Sequence, residues 1–306
     1  MTISDFGTGD QLRLALADSS LTRAMGAHSA LTARLVEEAG LDVVWASGLE
    51  ISAARALPDA NLLSASEVLE SAAQIAEAVT IPVLSDCDSG FGNVNNVIHT
   101  VQAFERRGIA GICIEDKLYP KLNSFAEGSQ ELAPIEDFSA RVHAAVSARH
   151  QMVIVARIEA LIAGRGIDEA LTRGRAYAAA GADAILIHSK KADPSEVFEF
   201  KERFDLDIPV IVVPTTYHTV TARELAKRGF AMTIYANHVL RSAIPAMQNA
   251  LARIAADGTT TNIETTLAPV SEVFRLQGLA EMLQRQEHHE AAGREIVSVA
   301  SAGATR

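Results

Sequence analysis

The sequence lacks the features that mark several common classes of protein. Its 306 residues contain only two cysteines, Cys87 and Cys113, too few for a disulfide framework. No apolar run approaches the roughly 20 residues that a membrane helix needs. Basic residues are the minority, with 27 Lys and Arg against 38 Asp and Glu. This acidic balance argues against nucleic acid or an anionic membrane as a partner, although a locally positive pocket can still bind a small anion.

The N-terminal segment MTISDFGTGD has neither a basic nor a hydrophobic region. No signal peptide is therefore visible, and we expect a soluble cytoplasmic protein. Apolar residues make up 48% of the chain and charged residues 21%. That composition predicts a full hydrophobic core and excludes a disordered chain.

Eight short segments rich in Val and Ile recur along the chain, each followed by a helix-like stretch. Continuous apolar runs of this length are typical of strands buried on both faces. The predicted strands are Leu21–Ala27, Val43–Ala46, Ile81–Asp86, Gly111–Glu115, Met152–Arg157, Ala184–His188, Ile208–Val213 and Met232–Ala236. Eight such units in about 260 residues match a parallel (β/α)8 TIM barrel. A doubly wound open sheet is the alternative, but no G-x-G-x-x-G follows the first strand.

Local signals at helix ends support the same repeated unit. Ser64 with Glu67 and Thr221 with Glu224 fit capping boxes, and Pro194 fits a first helical position. Four glycines are placed to end helices just before strands, at positions 40, 108, 181 and 229. After the eighth unit we predict a helical region over Val270–Gln286. We therefore expect one barrel domain with a C-terminal helical extension over residues 1–286, and a mobile tail over residues 287–306.

Polar side chains follow nearly every predicted strand, where the functional groups of such barrels gather. Asp86 and Asp88 lie two residues apart, so in extended chain they face the same side, with Cys87 facing the core. Glu115 ends the next strand, and Asp59 can reach the same place from the loop after strand two. Carboxylates about 5 Å apart repel by roughly 3 kcal/mol at an effective dielectric of about 20. Such a group implies raised pKa values or a cation, and oxygen ligands favour Mg²⁺ or Mn²⁺. Helix capping or pairing with arginine is the alternative.

A long connection rich in donors follows the fourth strand, with Lys117, Lys121, Asn123 and Ser124 at its start. It exceeds the roughly 2–6 residues usual for a βα loop. The sequence leaves two interpretations, a lid that closes over the site or an exposed polar loop.

Two further strand ends carry groups that can bind an anion. Arg157 either forks onto a carboxylate or phosphonate, or pairs internally with Glu159. His188 either donates to an anion or is structural. We treat His28, Asn237 and His238 as hydrogen-bonding groups that close the barrel mouth.

The end of the second strand, around Trp45, offers a different kind of donor. The backbone N–H groups of Ser47 and Gly48 can bind an oxyanion. Trp45 itself is explained equally well by core packing and by a place in the pocket wall.

These residues lie in motifs that resemble the isocitrate lyase/phosphoenolpyruvate mutase superfamily, and its mutases in particular. The motifs are WASGLEIS, PDAN, SDCDSGFGNVNN, EDKLYPKLNSF, ARIEALIAG, GADAILIHSKKADPSE, VVPTTY, YANHVLRSAI and EVFRLQ. They span Trp45 to Gln277 in family order, and EDK-x5-NS is regarded as diagnostic for the mutases. The resemblance implies a barrel isomerase that interconverts phosphoenolpyruvate and 3-phosphonopyruvate, forming a C–P bond for phosphonate biosynthesis.

The resemblance also implies roles for individual residues. Asp86 would touch Mg²⁺ directly, while Asp59, Asp88 and Glu115 would hold it mostly through water. Asp59 is also the proposed nucleophile, and a metaphosphate-like route is the competing account. Pyruvyl oxygens would be bound by Ser47 and Gly48, and the phosphoryl or phosphonyl group by Arg157, His188, Asn123 and Ser124. Lys121, Asn123 and Ser124 would lie on a gating loop.

Two related activities compete with this interpretation. Phosphonopyruvate hydrolase cleaves the C–P bond to pyruvate and phosphate, and it usually carries Thr where this chain has Asn123. Isocitrate and methylisocitrate lyases use a cysteine in the loop after strand four, whereas Cys113 here is inside that strand. A non-catalytic barrel that binds a keto acid has no positive support in the sequence.

The resemblance implies partners as well. Members assemble as homodimers or homotetramers that exchange C-terminal helices, and the region Val270–Gln286 is the candidate for this swap. Because the mutase equilibrium favours phosphoenolpyruvate, a downstream enzyme that consumes phosphonopyruvate is expected, a decarboxylase in the family pattern. Departures from that pattern occur at Cys87, Phe91, Ser129 and Arg165.

Overall fold

Strands and helices alternate along the chain in the computed structural model, which describes residues 8–128 and 130–303. The departure noted at Ser129 therefore lies outside the described residues. The strands are β1 (Thr22–Ala27), β2 (Val43–Ala46), β3 (Val83–Asp86), β4 (Gly111–Glu115), β5 (Val153–Ile158), β6 (Ala184–Ile187), β7 (Val210–Val212) and β8 (Met232–Tyr235). The helices are α1 (Thr8–Ala17), α2 (Ala30–Glu38), α3 (Gly48–Ala54), α4 (Ala65–Ala78), α5 (Val94–Arg106), α6 (Ile135–Ala148), α7 (Gly166–Ala179), α8 (Ser195–Arg203), α9 (Ala222–Lys227), α10 (His238–Asp257), α11 (Val270–Gln277) and α12 (Leu279–Gly303).

The eight strands are parallel and close into a barrel in chain order, with β8 paired to β1. Each lies where the apolar runs predicted it. Alternate strand residues pack inside the barrel and against the surrounding helices, so nearly every strand position is buried. The (β/α)8 prediction is therefore confirmed and the open-sheet alternative is wrong. The carboxyl ends of all eight strands meet at one face of the barrel.

Helix α1, which the sequence analysis did not predict, closes the opposite face. Its Leu12 and Leu16 are buried in the cluster of side chains inside the barrel. A Cβ added at Gly9 would lie 2.1 Å from the carbonyl oxygen of Gln151, just before β5. The helix backbone therefore lies directly against the amino ends of the strands, and glycine permits that approach.

The helix-end signals are largely confirmed. Ser64 and Glu67 form a reciprocal capping box on α4, and Thr221 caps α9 by accepting the Glu224 N–H. Pro194 is the N-cap of α8 and not its first helical residue, because the Asp193 carboxylate accepts the Ser195 N–H at 3.0 Å. The glycines at 40, 108, 181 and 229 all have positive φ, as helix ends of this kind require.

The chain contains two compact units, one ending at Ile244 and the other beginning at Pro245. In the second, Gly278 has φ of 70° and separates α11 from α12. The region predicted over Val270–Gln286 is thus helical but broken by a left-handed residue. Helix α12 continues to Gly303, so most of the expected tail is helical. Its mobility and the single-domain boundary stay predictions. Within the described ranges, no helix is long and apolar enough to cross a membrane.

Candidate active site

A small cavity of about 50 Å³ lies at the carboxyl ends of the strands, beneath the long loop after β4. Nine of the predicted site residues line it: Trp45, Ser47, Asp59, Asp86, Lys121, Asn123, Ser124, Arg157 and His188. The other three touch these residues from behind. Gly48 lies against Asp86, Asp88 pairs with Lys121, and Glu115 pairs with Arg157. The structure therefore brings all of the predicted residues together.

The two aspartates after β3 meet for a different reason from the one predicted. Strand β3 ends at Asp86, and Asp88 has φ of 50°, in the left-handed region. Strand alternation therefore does not set its direction. A tight turn does, in which the Asp88 N–H donates to Asp86 Oδ1 at 3.3 Å. Positive φ in a non-glycine residue costs energy and is concentrated at functional sites.

Burial disfavours the charged forms of both aspartates in this turn. It raises the pKa of Asp86 to about 7, with the neighbouring Asp88 charge adding to the shift. Burial also raises the pKa of Asp88, although the Lys121 ammonium opposes that shift. Glu115 Oε1 is buried without a hydrogen-bond partner. Crowded, incompletely satisfied oxygen donors suit a hard cation such as Mg²⁺. As arranged, however, no three acidic, His or Cys side chains within the described ranges converge on one ion position.

Lys121 brings a positive charge to Asp59 and Asp88, while Glu115 pairs with Arg157. The Lys121 Nζ pairs with Asp59 and lies 3.0 Å from Asp88 Oδ1. Burial alone would lower the Lys121 pKa, but the surrounding carboxylates, Asp88 first, raise it. The ammonium therefore stays charged.

Asp59 is held by two residues of the long loop. Its Oδ1 accepts from Lys121, and its Oδ2 accepts from Asn123 Nδ2 at 2.6 Å. Burial disfavours the charged form, yet these donors hold the Asp59 pKa below its usual value. Asp59 is thus an ionised carboxylate facing the cavity, with both oxygens engaged by the protein.

The long loop after β4, called the flap below, places Lys121, Asn123 and Ser124 at the cavity, while its Leu118, Tyr119 and Phe125 are exposed. An antiparallel bridge joins Lys117 to Leu132 at its base, and the Ala133 N–H donates to the Asp116 carbonyl at 2.8 Å. Lys121 and Ser124 are buried although both are polar. This placement favours the lid interpretation, and the movement of the flap stays a prediction.

Arg157 pairs internally with Glu159, as one of the two interpretations predicted, and its binding of an anion stays a prediction. Its guanidinium lines the cavity, yet it also bonds to Glu159 and lies 3.2 Å from Glu115 Oε2. His188 Nδ1 lies 2.8 Å from Glu159 Oε1 and 2.9 Å from Arg157 Nη2. Burial, followed by the Arg157 charge, lowers the His188 pKa. A neutral imidazole and a charged guanidinium thus form one side of the cavity.

The backbone donors predicted at the end of β2 are only partly available. The Ser47 N–H already donates to the Ala27 carbonyl at 3.2 Å, and Ser47 Oγ caps α3 by accepting the Glu50 N–H. The Ser47 N–H is thus engaged within the barrel, and the role of Ser47 in binding an oxyanion stays a prediction. Gly48 is the first residue of α3 and lies against Asp86, at the end of β2 where a backbone donor was predicted.

Replacement of Gly48 by alanine should disturb the acid cluster. A Cβ there would lie 3.1 Å from Asp86 Oδ2, so the carboxylate must move by a few tenths of an ångström. A displacement of about 1 Å at a reacting centre can cost about 100-fold in rate, and for a shift of a few tenths of an ångström we take about 10-fold. We expect Gly48→Ala to lower kcat/KM by that factor with an unchanged Tm. Gly293→Ala, where a Cβ would meet nothing within 4 Å, is the matched control. Full activity of Gly48→Ala would show that the Asp86 position is not critical.

Asn61 was not singled out from the sequence. It donates to Asp88 Oδ2 at 2.7 Å and accepts the Lys121 N–H, so it joins the acid turn to the flap. The only sequence feature that could have indicated Asn61 is its place in PDAN, two residues after Asp59. Lys117 was predicted only as a loop donor and Glu159 only as an internal partner of Arg157. Both are also buried beside Ser124, a contact that was not predicted.

The remaining predicted groups lie at the margin. Asn237 lines the cavity, while His28 lies 3.8 Å from the buried Glu50. Both cysteines are free and buried. The departure at Arg165 is on an exposed residue before α7.

Comparison with known proteins gives consistent results. The family model described as phosphoenolpyruvate phosphomutase matches residues 13–255. The phosphoenolpyruvate phosphomutase of Tetrahymena pyriformis is 45% identical over 91% of this chain and 94% of its own. The crystal structure of the phosphomutase from Streptomyces platensis subsp. rosaceus is 50% identical, with a TM-score of 0.90 over 92% of this chain and 99% of that one.

The hydrolase relative is also similar. A phosphonopyruvate hydrolase solved in complex with oxalate and Mg²⁺ is 42% identical, with a TM-score of 0.87 over 91% of this chain and 98% of that one. A divalent metal therefore occurs within this superfamily. The matched family model, the identities and the shared barrel confirm the resemblance that the motifs indicated: the chain belongs to the phosphoenolpyruvate phosphomutase family of enzymes.

Proposed function

We propose that this enzyme interconverts phosphoenolpyruvate and 3-phosphonopyruvate. The observation that carries the proposal is the direct contact of Asn123, on a closed flap, with the ionised Asp59 at the cavity wall. This contact uses the asparagine that distinguishes the mutase pattern from the hydrolase pattern. The similarity to named phosphomutases supports the same conclusion.

The charges of the cavity suit a substrate with two anionic ends. Arg157 and His188 form a donor wall for the phosphoryl or phosphonyl group, since a guanidinium binds such oxygens bidentately. The opposite wall, near Gly48 and Asp86, would take the pyruvyl oxygens. Phosphoryl transfer depends mainly on positioning and charge stabilisation, which this arrangement supplies from two sides.

Asp59 lies between these walls and is the group best placed to act on phosphorus. Its carboxylate is ionised and held by Lys121 and Asn123. It would either accept the phosphoryl group covalently or guide a metaphosphate-like species between oxygen and carbon. The flap excludes water, which would otherwise capture the phosphoryl group.

The oxygen chemistry of Asp86, Asp88 and Glu115 suits a divalent cation, and binding one would draw these side chains together from their present positions. These side chains are largely buried, and burial raises the pKa of both Asp86 and Asp88. Glu115 Oε1 is buried without a hydrogen-bond partner. Bound Mg²⁺ would supply electrostatic stabilisation of an enolate oxygen. Mn²⁺ has the same preference for oxygen ligands and is expected to substitute.

Phosphorus NMR of phosphonopyruvate incubated with the enzyme and Mg²⁺ tests the proposal. We expect the phosphonate signal to be replaced by that of phosphoenolpyruvate. Direct release of inorganic phosphate with pyruvate, and no phosphoenolpyruvate, would make the chain a hydrolase. A spectrum without change would remove both activities.

The Asn123→Thr variant should shift the reaction outcome toward hydrolysis. Asn123 Nδ2 holds Asp59 while Asn123 Oδ1 accepts the Phe125 N–H at 3.0 Å, so its amide joins the flap to Asp59 and closes a local turn within the flap. A threonine hydroxyl is too short to make both bonds. We expect the proportion of pyruvate and phosphate among the products to rise about tenfold, the factor worth one hydrogen bond. Asn262→Thr, far along the chain in an exposed turn, is the control. A variant that remains a clean mutase would show that Asn123 does not set the outcome.

We further propose assembly into a homodimer or homotetramer through the C-terminal helices. These helices expose apolar side chains that a single chain leaves in water: Leu251, Val270, Val273, Phe274, Met282 and Leu283. Exposed apolar surface of this kind is typical of protein–protein contacts. Exchange of helices between subunits, a downstream decarboxylase and a cytoplasmic location remain part of the proposal. Light scattering of the purified chain measures its oligomeric state. A monomer would overturn the proposed assembly.

A further inference from the structure

Two fully buried charged residues, Lys117 and Glu159, have no role in the chemistry described above. Lys117 is 1% exposed and Glu159 0% exposed. Lys117 Nζ lies 3.1 Å from Glu159 Oε2. Removing two charges from water carries a desolvation cost, and the attraction between the charges roughly cancels it. The pair is therefore a poor device for stability alone, and its contacts indicate what it does.

Lys117 fastens the part of the flap that covers the cavity. Its ammonium donates to the Leu122 carbonyl at 2.9 Å and to Ser124 Oγ at 2.7 Å. These two acceptors flank Asn123. One buried ammonium thus holds the residues on both sides of Asn123, the first by its backbone and the second by its side chain.

Glu159 fastens the same segment to the anion-binding wall. Its Oε2 accepts the Ser124 hydroxyl at 2.6 Å, while its Oε1 bonds to Arg157 and His188. The Arg157 guanidinium also donates to Ser124 Oγ at 3.0 Å. Ser124 therefore donates one bond and accepts two, so its hydroxyl is fully used in joining flap to barrel.

The base of the flap is anchored to the same glutamate. The Glu159 N–H donates to Asp116 Oδ1 at 2.8 Å. Asp116 Oδ2 accepts from Tyr177 and Arg173 of α7 at 2.8 and 3.1 Å. Glu159 is thus held in place by its backbone while its side chain links the flap to the barrel.

We propose that Lys117 and Glu159 are positioning residues that form a latch, holding residues 122–124 closed against the Arg157–His188 wall. The inference rests on the proposed mutase function and adds to it the device that keeps water out. With the latch broken, water reaches phosphorus in bound phosphonopyruvate. A P–O bond then forms as the C–P bond breaks, the electron pair of that bond remains on the pyruvate enolate, and C3 takes a proton. The products are pyruvate and phosphate.

Charge balance selects the variants that test the latch. Lys117, Arg157, Glu115 and Glu159 form a buried group whose formal charges cancel. Lys117→Met and Glu159→Gln each leave one charge uncompensated. The double variant removes one charge of each sign, so the balance is restored and folding is favoured. Lys227→Met, on the exposed end of α9, is the matched control.

The readouts are the product ratio from phosphonopyruvate and the split between KM and kcat, with folding checked by circular dichroism. In the double variant we expect pyruvate and phosphate to increase at least about tenfold relative to phosphoenolpyruvate, with KM raised by a similar factor. The control should match the wild type.

An unchanged product ratio and KM in a folded double variant would overturn the latch. Failure of all three variants to fold would also overturn it, because the pair would then serve the fold alone. A wild-type enzyme that makes no phosphoenolpyruvate would instead refute the proposed function, so the two failures are distinguishable.

Discussion

Replacing Asp59 by alanine should abolish turnover while leaving the fold intact. The ionised Asp59 carboxylate faces the cavity and is positioned by two flap residues, Lys121 and Asn123. Either mechanism for phosphoryl migration needs this charge at the reacting phosphorus. Loss of a residue at the centre of a catalytic unit commonly costs about 10⁴-fold or more in kcat, and we expect a loss of that size.

The fold should survive because the removed charge does not leave its partner alone. Lys121 keeps Asp88 at 3.0 Å, so no unpaired buried cation results. The measurements are kcat by phosphorus NMR and Tm by calorimetry, with Asp207→Ala on an exposed turn as the control. Substantial activity in Asp59→Ala would remove this residue from the mechanism.

Chelation of divalent cations should stop the reaction, and added Mg²⁺ should restore it. The buried acids after β3 and β4 repel one another, and Asp86 has its pKa raised to about 7. A cation that binds only the folded chain also stabilises it. At 100 times its Kd it contributes about 2.7 kcal/mol, which corresponds to a rise in Tm of roughly 5 °C for a domain of this size.

The rise in Tm separates metal binding from catalysis. Asp86→Asn should lose both the rise and the activity, whereas Asp193→Asn, an exposed turn residue, should keep both. A wild-type enzyme with full activity and an unchanged Tm in chelator would show that the acid cluster holds no catalytic cation and that Lys121 suffices to neutralise it.

The barrel was predictable because its strands have a simple physical signature. Each is short, apolar on both faces and preceded by a glycine or a turn, so the eight segments stand out from the helices between them. Helix α1 was not predicted because two buried leucines, Leu12 and Leu16, are all that mark its inner face. That pattern is too brief to distinguish ten residues of helix from a loop.

The membership of the site was predictable, but its pairing was not. The rule that function gathers at strand ends found Asp86, Arg157 and His188 directly. Contacts such as Asp59 with Lys121 join residues 62 positions apart, and they depend on how the flap folds. The direction of Asp88 depends on a left-handed residue in a tight turn, which strand alternation cannot describe. The pairing of Lys117 with Glu159 and their contacts with Ser124 were not predicted, because they also depend on how the flap folds.

The size of the closed cavity has a kinetic consequence. Its volume of about 50 Å³ holds only a few water molecules, at roughly 10–15 Å³ each, and the flap residues Lys121 and Ser124 that line it are buried. Under the proposed closure of the flap over bound substrate, each catalytic cycle includes an opening and a closing of the flap. Such motions take microseconds to milliseconds and often limit kcat. Added viscosogen should then lower kcat, although the chemical step is unimolecular. The reason is that the rate of flap opening limits turnover.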